Sequence, residues 1–396
     1  MKKSLLFVID SLDTAGAEKS LVSLLGLLDY SKYDVDLQLF AHGYPLEELV
    51  PKQVRVLEPL RYSRFSNLEV GNSMLYAIKH HEYRMLYSRL VYSAKLRSRN
   101  YSNPQKARLY WQSISKVIDE SKKTYDIAIS YAQGVPTFYV ASKVKAKKKY
   151  AWVNVSYKLD EKEKSFQKDY YNQFDKVIAV SDSTRDVFVQ TYPEYKTKME
   201  VIYDINNPQL INNLANNGEG YHDSFDGIRI LTIGRLAYQK GYDVALETCR
   251  LLKEKGLNFR WYVLGKGPLK EEIEEEIKSK DLTNHFILLG VTSNPYPLIK
   301  QSDIYVQTSR FEGFGLAIAE ARLLNTPVVT TEFDAVFNQM IHGKNGIVVK
   351  RDAKNVCNAL FELISNVRLR NQIIKFLTKE KKGNIEEVEK FYQLIG

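Results

Sequence analysis

Four short segments of this chain set charged residues beside glycines at the ends of apolar runs, and together they suit an anionic, hydroxyl-rich ligand. SRFEGFGLAIAEA, Ser309 to Ala321, follows the run Ile304–Gln307 and holds two carboxylates and two glycines. Gly313 and Gly315 open a helix there, and the free amides of a helix start favour phosphate. Glu312 precedes the turn, where a carboxylate accepts hydrogen bonds from sugar hydroxyls; Glu320 lies on the helix, placed for a ribose diol. A plainer reading makes Glu312 a charge at a helix start and Glu320 a solvated side chain, but a cap needs fewer special residues than this. GRLAYQKG, Gly234 to Gly241, follows Ile228–Ile233 and carries Arg235 and Lys240, two cations able to neutralise a diphosphate leaving group. DTAGAEKSL, Asp13 to Leu21, follows Leu5–Ile9, and Gly16 and Ala17 let a ligand approach the backbone at a helix start. LGKGP, Leu264 to Pro268, lacks the third glycine of a dinucleotide-binding GxGxxG, so a close-packed strand–helix turn is its expected role.

These segments need strands to carry them. Candidates in the first half are Leu5–Ile9, Val35–Phe40, Val54–Leu57, Ile127–Ser130, Tyr150–Val153, Lys176–Val180 and Val201–Tyr203. In the second half they are Ile228–Ile233, Phe259–Leu264, Phe286–Leu289, Ile304–Gln307, Val328–Thr331 and Ile347–Val349. Most are apolar throughout rather than alternating, as in parallel sheets covered on both faces. Amphipathic helical patterns separate them, among them Ala17–Leu28, Val135–Lys143, Tyr242–Lys255, Leu269–Lys278 and Leu316–Leu324. Repeated βα units over 396 residues predict an α/β protein of two Rossmann-like, doubly wound domains, their ligands held outside the carboxyl ends of the strands and in a cleft between them. The boundary is expected in Asn206 to Gly227, an Asn- and Gly-rich stretch that reads as a linker.

Composition removes several classes of function. No stretch approaches the roughly 20 apolar residues of a membrane span. MKKSLLFVIDSL breaks at Asp10 without a cleavage site and reads as a first strand, so the expected location is cytoplasmic. Cys249 and Cys357 lack CxxC partners, and the six histidines show no ligand spacing, which argues against a disulfide framework and a zinc site. Asp34-Val35-Asp36 is a literal DxD, but it lies in a strand pattern with both carboxylates on one face and reads as structural. Of the net charge of +10, residues 1–205 carry +8, with 32 Lys+Arg against 24 Asp+Glu. Residues 74–116 concentrate it: Lys79, Arg84, Arg89, Lys95, Arg97, Arg99, Lys106, Arg108 and Lys116 face the single acid Glu82, with Tyr76, Tyr83, Tyr87, Tyr92, Tyr101, Tyr110 and Trp111 interleaved. Such a segment suits an anionic membrane surface, or else a solvated face with its tyrosines on the core. No recognition helix, zinc finger or RNP-like stretch supports nucleic acid as a partner.

The ordered set GRLAYQKG, LGKGPLKEEI, LLGVTSNPYPLIKQSDIYVQTSRFEGFGLAIAEA, NTPVVTT and HGKNGIVV, with TAGAEKSL ahead of it, resembles the retaining glycosyltransferases of GT-B fold called group 1, of the bacterial surface-polysaccharide type. The resemblance covers nearly the whole chain. It implies an N-terminal acceptor-binding domain of residues 1–205 plus 385–396, a nucleotide-sugar-binding domain of residues 206–384, and a last helix, Glu386–Ile395, crossing back to the first domain. It implies that Arg235 and Lys240 contact the donor diphosphate and Glu320 the ribose. Glu312, Gly313 and the amides of Phe314, Gly315 and Leu316 would hold the transferred sugar, with the base near Leu289 to Val291. Gly16 and Ala17 would approach the donor and the acceptor from the other lobe.

Two departures from the family stand out. Asn154 occupies the place of a frequent histidine, and FDAVFNQMIHG offers Asn338 and Gln339 where the family has an acid. The family's front-face mechanism, in which a donor phosphate oxygen helps deprotonate the acceptor, tolerates Asn154 and needs no metal or other cofactor. The implied activity is transfer of a hexose from a nucleotide-diphosphate sugar, UDP-linked first of all, to a saccharide or lipid-linked acceptor in cell-surface glycan synthesis. The alternatives are a non-catalytic GT-B partner subunit, favoured by Asn154 and opposed by Arg235, Lys240, Glu312 and Glu320, and a sugar-nucleotide epimerase of the same fold.

Overall fold

Runs of Val, Ile and Leu become strands buried on both faces. β1 (Lys3–Ile9) is central in the first of two sheets, and Leu5, Leu6, Phe7, Val8 and Ile9 are each at most 1% exposed. The structure is a computed structural model describing residues 2–13, 16–97, 101–155 and 159–396. The chain folds as two units, Met1–Tyr203 with Glu386–Gly396, and Asp204–Ile385.

In the first unit β1 is joined by β2 (Tyr33–Leu39), β3 (Arg55–Val56), β4 (Thr124–Ser130), β5 (Lys145–Val153), β6 (Lys176–Ala179) and β7 (Met199–Val201). All pairings are parallel, in the order β3-β2-β1-β4-β5-β6-β7. Parallel neighbours need crossovers, and helices such as Gly16–Leu25 and Val135–Lys143 supply them. The DxD on β2 is structural, as expected. Lys123 Nζ lies 3.5 Å from Asp34 and 3.3 Å from Asp36, which places both carboxylates on one face. Asp36 is buried and takes two hydrogen bonds from Arg55 (2.9 and 2.7 Å) and one from Tyr125 (2.8 Å). Burial pushes its carboxyl upward, but Arg55, Tyr125 and Lys123 together outweigh burial and hold it below the ordinary value.

Four helices, Arg61–Ser66, Val70–Lys79, Tyr83–Leu96 and Asn103–Ile114, fill the long connection from β3 to β4. Here the basic, aromatic segment divides. Trp111 is 1% exposed and Tyr76 and Tyr110 pack against the core, so these aromatics face inward. Arg108 is not a surface cation either. It is buried, with Nε donating to Glu163 Oε1 at 2.5 Å. Arg99 lies outside the described residues. The last helix, Glu387–Ile395, belongs to the first unit, as the sequence led us to expect. Phe391 stacks on Phe7 at 6.0 Å, and Tyr392 stacks on Tyr33 and donates to the Leu27 carbonyl at 3.1 Å.

The second unit holds β8 (Ile228–Ile233), β9 (Phe259–Leu264), β10 (Phe286–Gly290), β11 (Ile304–Gln307), β12 (Val328–Thr331) and β13 (Gly346–Val349), all parallel, in the order β10-β9-β8-β11-β12-β13. The expected linker is not one. Its Asn-rich stretch forms a helix, Pro208–Asn217, capped by the Asn207 side chain, with Ile211 and Ala215 buried. Asp223, further along, binds Arg229 and Arg260 at 2.8 Å each. Asparagine is a weak helix former, so composition hid an element that its buried apolar stripe and its cap stabilise.

Glu163 is buried, and its second oxygen has no hydrogen-bond partner among the described residues. Removing Arg108 therefore strands a buried charge. We expect Arg108→Met to cost about 3–5 kcal/mol in urea unfolding, with much of it restored in the Arg108→Met/Glu163→Met double variant. A single-variant cost below about 1 kcal/mol would contradict this account of the pair.

Candidate active site

In doubly wound sheets ligands bind outside the carboxyl ends of the strands, where the strand order reverses. In the second unit that point lies between β8 and β11, which pair through Ile230 and Ile304. The loops leaving these two strands are the ones the sequence singled out, and they are stitched together. Arg310 N donates to the Gln239 carbonyl (2.7 Å), Gln239 Nε2 to the Phe311 carbonyl (2.8 Å), and Thr308 Oγ1 to the Lys240 carbonyl (2.9 Å). The Arg310 guanidinium lies 4.0 Å from the Tyr238 ring centroid and pairs with Asp243. Gly241 has φ +65°, and a Cβ there would stand 2.1 Å from the Thr308 carbonyl oxygen. Only glycine fits.

Glu312 is the hub. Its Oε1 accepts from Lys240 Nζ (2.6 Å), Gln307 Nε2 (2.6 Å) and Ser309 Oγ (2.5 Å). Among the described residues its Oε2 has only a 3.4 Å contact from Gln239 Nε2. Gln307 is aimed by Tyr305, whose hydroxyl donates to Gln307 Oε1 at 2.7 Å. Lys240 is thus paired rather than free, and its stem lies over Gly234, where a Cβ would meet Lys240 Cδ at 3.0 Å. Arg235, by contrast, is exposed and has no ion-pair partner among the described residues.

Glu320 is 1% exposed, which removes the solvated reading. It sits in the helix Leu316–Leu323 and accepts a 2.9 Å hydrogen bond from Tyr296. Burial, and next the Glu320 charge, push the Tyr296 hydroxyl well above its ordinary pKa, so it stays a neutral donor. Gly315 caps the helix with φ +85°. The turn before it is clipped by Gln339, whose amide donates to the Phe314 carbonyl (2.5 Å) and the Gly315 carbonyl (3.2 Å). Gly313, Phe314 and Leu316 are buried around that turn. LGKGP is a packing turn, as expected: a Cβ on Gly265 would meet the Gly234 carbonyl at 2.0 Å, and Gly265 N donates to the Gly290 carbonyl at 2.7 Å. That contact brings the end of β10 into the same rim, where Leu289 and Val291 are exposed apolar residues.

In the first unit the strand order reverses between β1 and β4. Gly16 and Ala17 begin the helix after β1, and Asn154 follows β5. Tyr131, after β4, links them: its hydroxyl lies 3.1 Å from Ser20 Oγ, and its carbonyl accepts Asn154 Nδ2 at 2.8 Å. The Asn154 amide thus gives one of its two hydrogens to the protein. Its Oδ1 is buried without a hydrogen-bond partner among the described residues.

Residues 225–380 match the family model described as Glycosyl transferases group 1. The chain carries a group 1 glycosyltransferase domain. Among curated relatives, an uncharacterised glycosyltransferase of Methanocaldococcus jannaschii is 24% identical over 262 residues, 58% of this chain and 64% of that protein. The capsular polysaccharide biosynthesis glycosyltransferase CapM of Staphylococcus aureus is 25% identical over 207 residues, 50% of this chain and 54% of CapM. The chain thus spans less than two thirds of the length of these relatives. A crystal structure of an S. aureus TarM mutant with Fondaparinux, alpha-GlcNAc-glycerol and UDP superposes with a TM-score of 0.71 at 16% identity, covering 100% of both chains. At that identity the likeness speaks for the fold, which is GT-B.

Several residues of this glycosyltransferase domain that shape the site carried no sequence signal. Gln307, Ser309, Tyr305 and Tyr296 are ordinary strand, loop or helix residues until the fold sets them against the two glutamates. Gln339 drew notice only as a missing acid, yet it secures the glycine turn. The stitching predicts an outcome for Gly241→Ala. The left-handed φ alone costs about 1–3 kcal/mol, and the clash with Thr308 must pull the two loops apart. Thermal unfolding should fall and the Arg310–Tyr238 stacking should be lost, the latter read from Tyr238 ring-proton shifts; unchanged shifts and stability would refute the close approach.

Proposed function

We propose that this chain is a retaining, metal-independent hexosyltransferase that moves a sugar from a UDP-sugar to a saccharide or lipid-linked acceptor in cell-surface glycan synthesis. The observation that carries the reading is the hydrogen-bonded Lys240–Glu312 pair at the strand-order reversal, flanked by the exposed Arg235. UDP is bound in the TarM structure, and CapM is named for capsular polysaccharide; both support the donor and the pathway class.

Each residue has a role in the proposed reaction. Arg235 and Lys240 bind the diphosphate and stabilise the charge that develops as the sugar C1–O bond breaks. When Lys240 turns toward phosphate, Gln307 and Ser309 keep Glu312 Oε1 satisfied. Glu312 Oε2, the less occupied oxygen, accepts from a hydroxyl of the transferred sugar. The amides of Phe314, Gly315 and Leu316 hold that sugar, and Gly313 lets it approach. Glu320 binds the ribose hydroxyls, sharing its carboxylate with Tyr296. Leu289 and Val291 offer apolar contact to the uracil. In this reaction Gly16 and Ala17 approach the donor as well as the acceptor, and Asn154 Oδ1 accepts a hydrogen bond from the acceptor. The acceptor oxygen bonds to C1, the diphosphate leaves, and the acceptor proton passes to a donor phosphate oxygen.

A panel of UDP-, GDP- and dTDP-sugars tests the reading by thermal shift and by nucleotide release. One UDP-sugar should stabilise the protein, with the shift abolished in Lys240→Ala and Glu320→Ala. Lys240→Ala should lower turnover on the order of 10²–10³-fold, as loss of one preorganised charge-stabilising donor does. No shift with any nucleotide would sink the reading in favour of a non-catalytic GT-B partner subunit.

A further inference from the structure

Two consecutive helices of the first unit turn their apolar residues outward. Helix Val70–Lys79 buries only Ser73 and Ala77, while Val70 (59%), Met74 (47%), Leu75 (67%) and Ile78 (59%) are exposed. Helix Tyr83–Leu96 buries Met85 and Ser88 and exposes Tyr83 (54%), Tyr87 (71%) and Leu90 (49%), which recur at i, i+4 and i+7 on one face. A surface helix of a water-soluble fold does the reverse, setting its apolar stripe on the core. Contiguous exposed apolar residues mark a surface that meets something else.

Charge narrows what that is. Residues 70–97 hold Lys79, Arg84, Arg89, Lys95 and Arg97 against one acid, Glu82. Glu82 pairs with Arg61 at 3.2 Å, so its charge is offset locally. Lys79, Arg84 and Arg97 are exposed beside the apolar residues. A second copy of the chain would bring like charge against like charge. An apolar face rimmed by Lys and Arg, with Tyr at its margin, matches the boundary between acyl chains and acidic headgroups. No helix among the described residues is long and apolar enough to cross a membrane, so contact through this face would be interfacial.

We propose that the outward faces of Val70–Lys79 and Tyr83–Leu96 dock the first unit on an anionic lipid bilayer. Of the aromatics that the sequence placed in this role, Tyr76, Tyr110 and Trp111 face the core and Tyr83 and Tyr87 face outward; the outward aliphatics supply the insertion and the rim cations the attraction. The proposal is independent of the nucleotide-sugar reading, because vesicle binding and donor binding are separate measurements.

The test is co-sedimentation of the full chain with vesicles of phosphatidylcholine alone, or mixed with phosphatidylglycerol. We expect pelleting only with the anionic vesicles. It should weaken as salt rises from about 0.1 M to about 1 M and the screening length falls from about 10 Å to about 3 Å. Lys79→Glu/Arg84→Glu should lower partitioning on the order of fivefold or more per residue. Leu75→Ser/Ile78→Ser should lower it without changing charge. These side chains are exposed, so both variants should keep the parent melting temperature, which is checked first. Equal binding to neutral and anionic vesicles, no pelleting at low salt, or parent-like binding by both variants would overturn the proposal. A dimer in sedimentation velocity that Leu75→Ser/Ile78→Ser dissolves would also overturn it and assign the face to a second copy.

Discussion

The second unit's chemistry rests on one ion pair at one topological point. β8 and β11 are neighbours in the sheet, but their following connections diverge, so the loops above them leave room at the strand ends. Lys240 and Glu312 meet in that space at 2.6 Å, both largely shielded from solvent. A shielded pair is weak support on its own, because removing two charges from water costs several kcal/mol per ion and direct attraction repays it only with good geometry and further hydrogen bonds. Gln307 and Ser309 add those bonds, and Tyr305 orients Gln307. The backbone contacts between the loops hold the positions from which these side chains act.

Glycine does a different job here from the flexibility with which it is often credited. Gly241, Gly265 and Gly234 sit where a Cβ would strike a neighbouring carbonyl or the Lys240 stem. Their absent side chains let three successive loops lie against one another, which makes a continuous rim from Gly290 to Glu312. Gly315 differs again: its left-handed φ turns the chain into the helix that carries Glu320, and Gln339 fixes that turn from outside.

The first unit repeats the topology with other content. Its strand reversal is occupied by Tyr131, which stacks on Trp152 at 5.0 Å and reaches both Ser20 and Asn154. Between β3 and β4 it carries four helices that the second unit lacks at the corresponding place. Those helices hold the basic excess and the outward apolar faces, so the charge asymmetry along the chain has a structural location.

Most of the thirteen strands were legible in the sequence because a strand buried on both faces is apolar along its length and few other segments are; the short edge strands β3 and β7 are exposed or half-buried and were only overlapped by the runs Val54–Leu57 and Val201–Tyr203. The acidic and basic candidates of the second unit were legible for a related reason: charged residues and glycines are out of place at the end of a buried strand unless something holds them. Other features were not readable locally. The helix Pro208–Asn217 is polar in composition and is stabilised by its cap and by apolar residues that find partners only in the folded unit. Whether Tyr76 or Tyr87 faces the core depends on which neighbouring helix covers it, and the alternation of residue types is the same for both. Glu320 passes for a solvated glutamate until Tyr296 arrives from a separate helix. The sequence by itself determined the parallel α/β class and the loops that bear charge, since periodicity and burial are local properties. Only the tertiary structure decided which charges pair, which are exposed and which apolar faces remain uncovered, because each depends on residues distant in the chain.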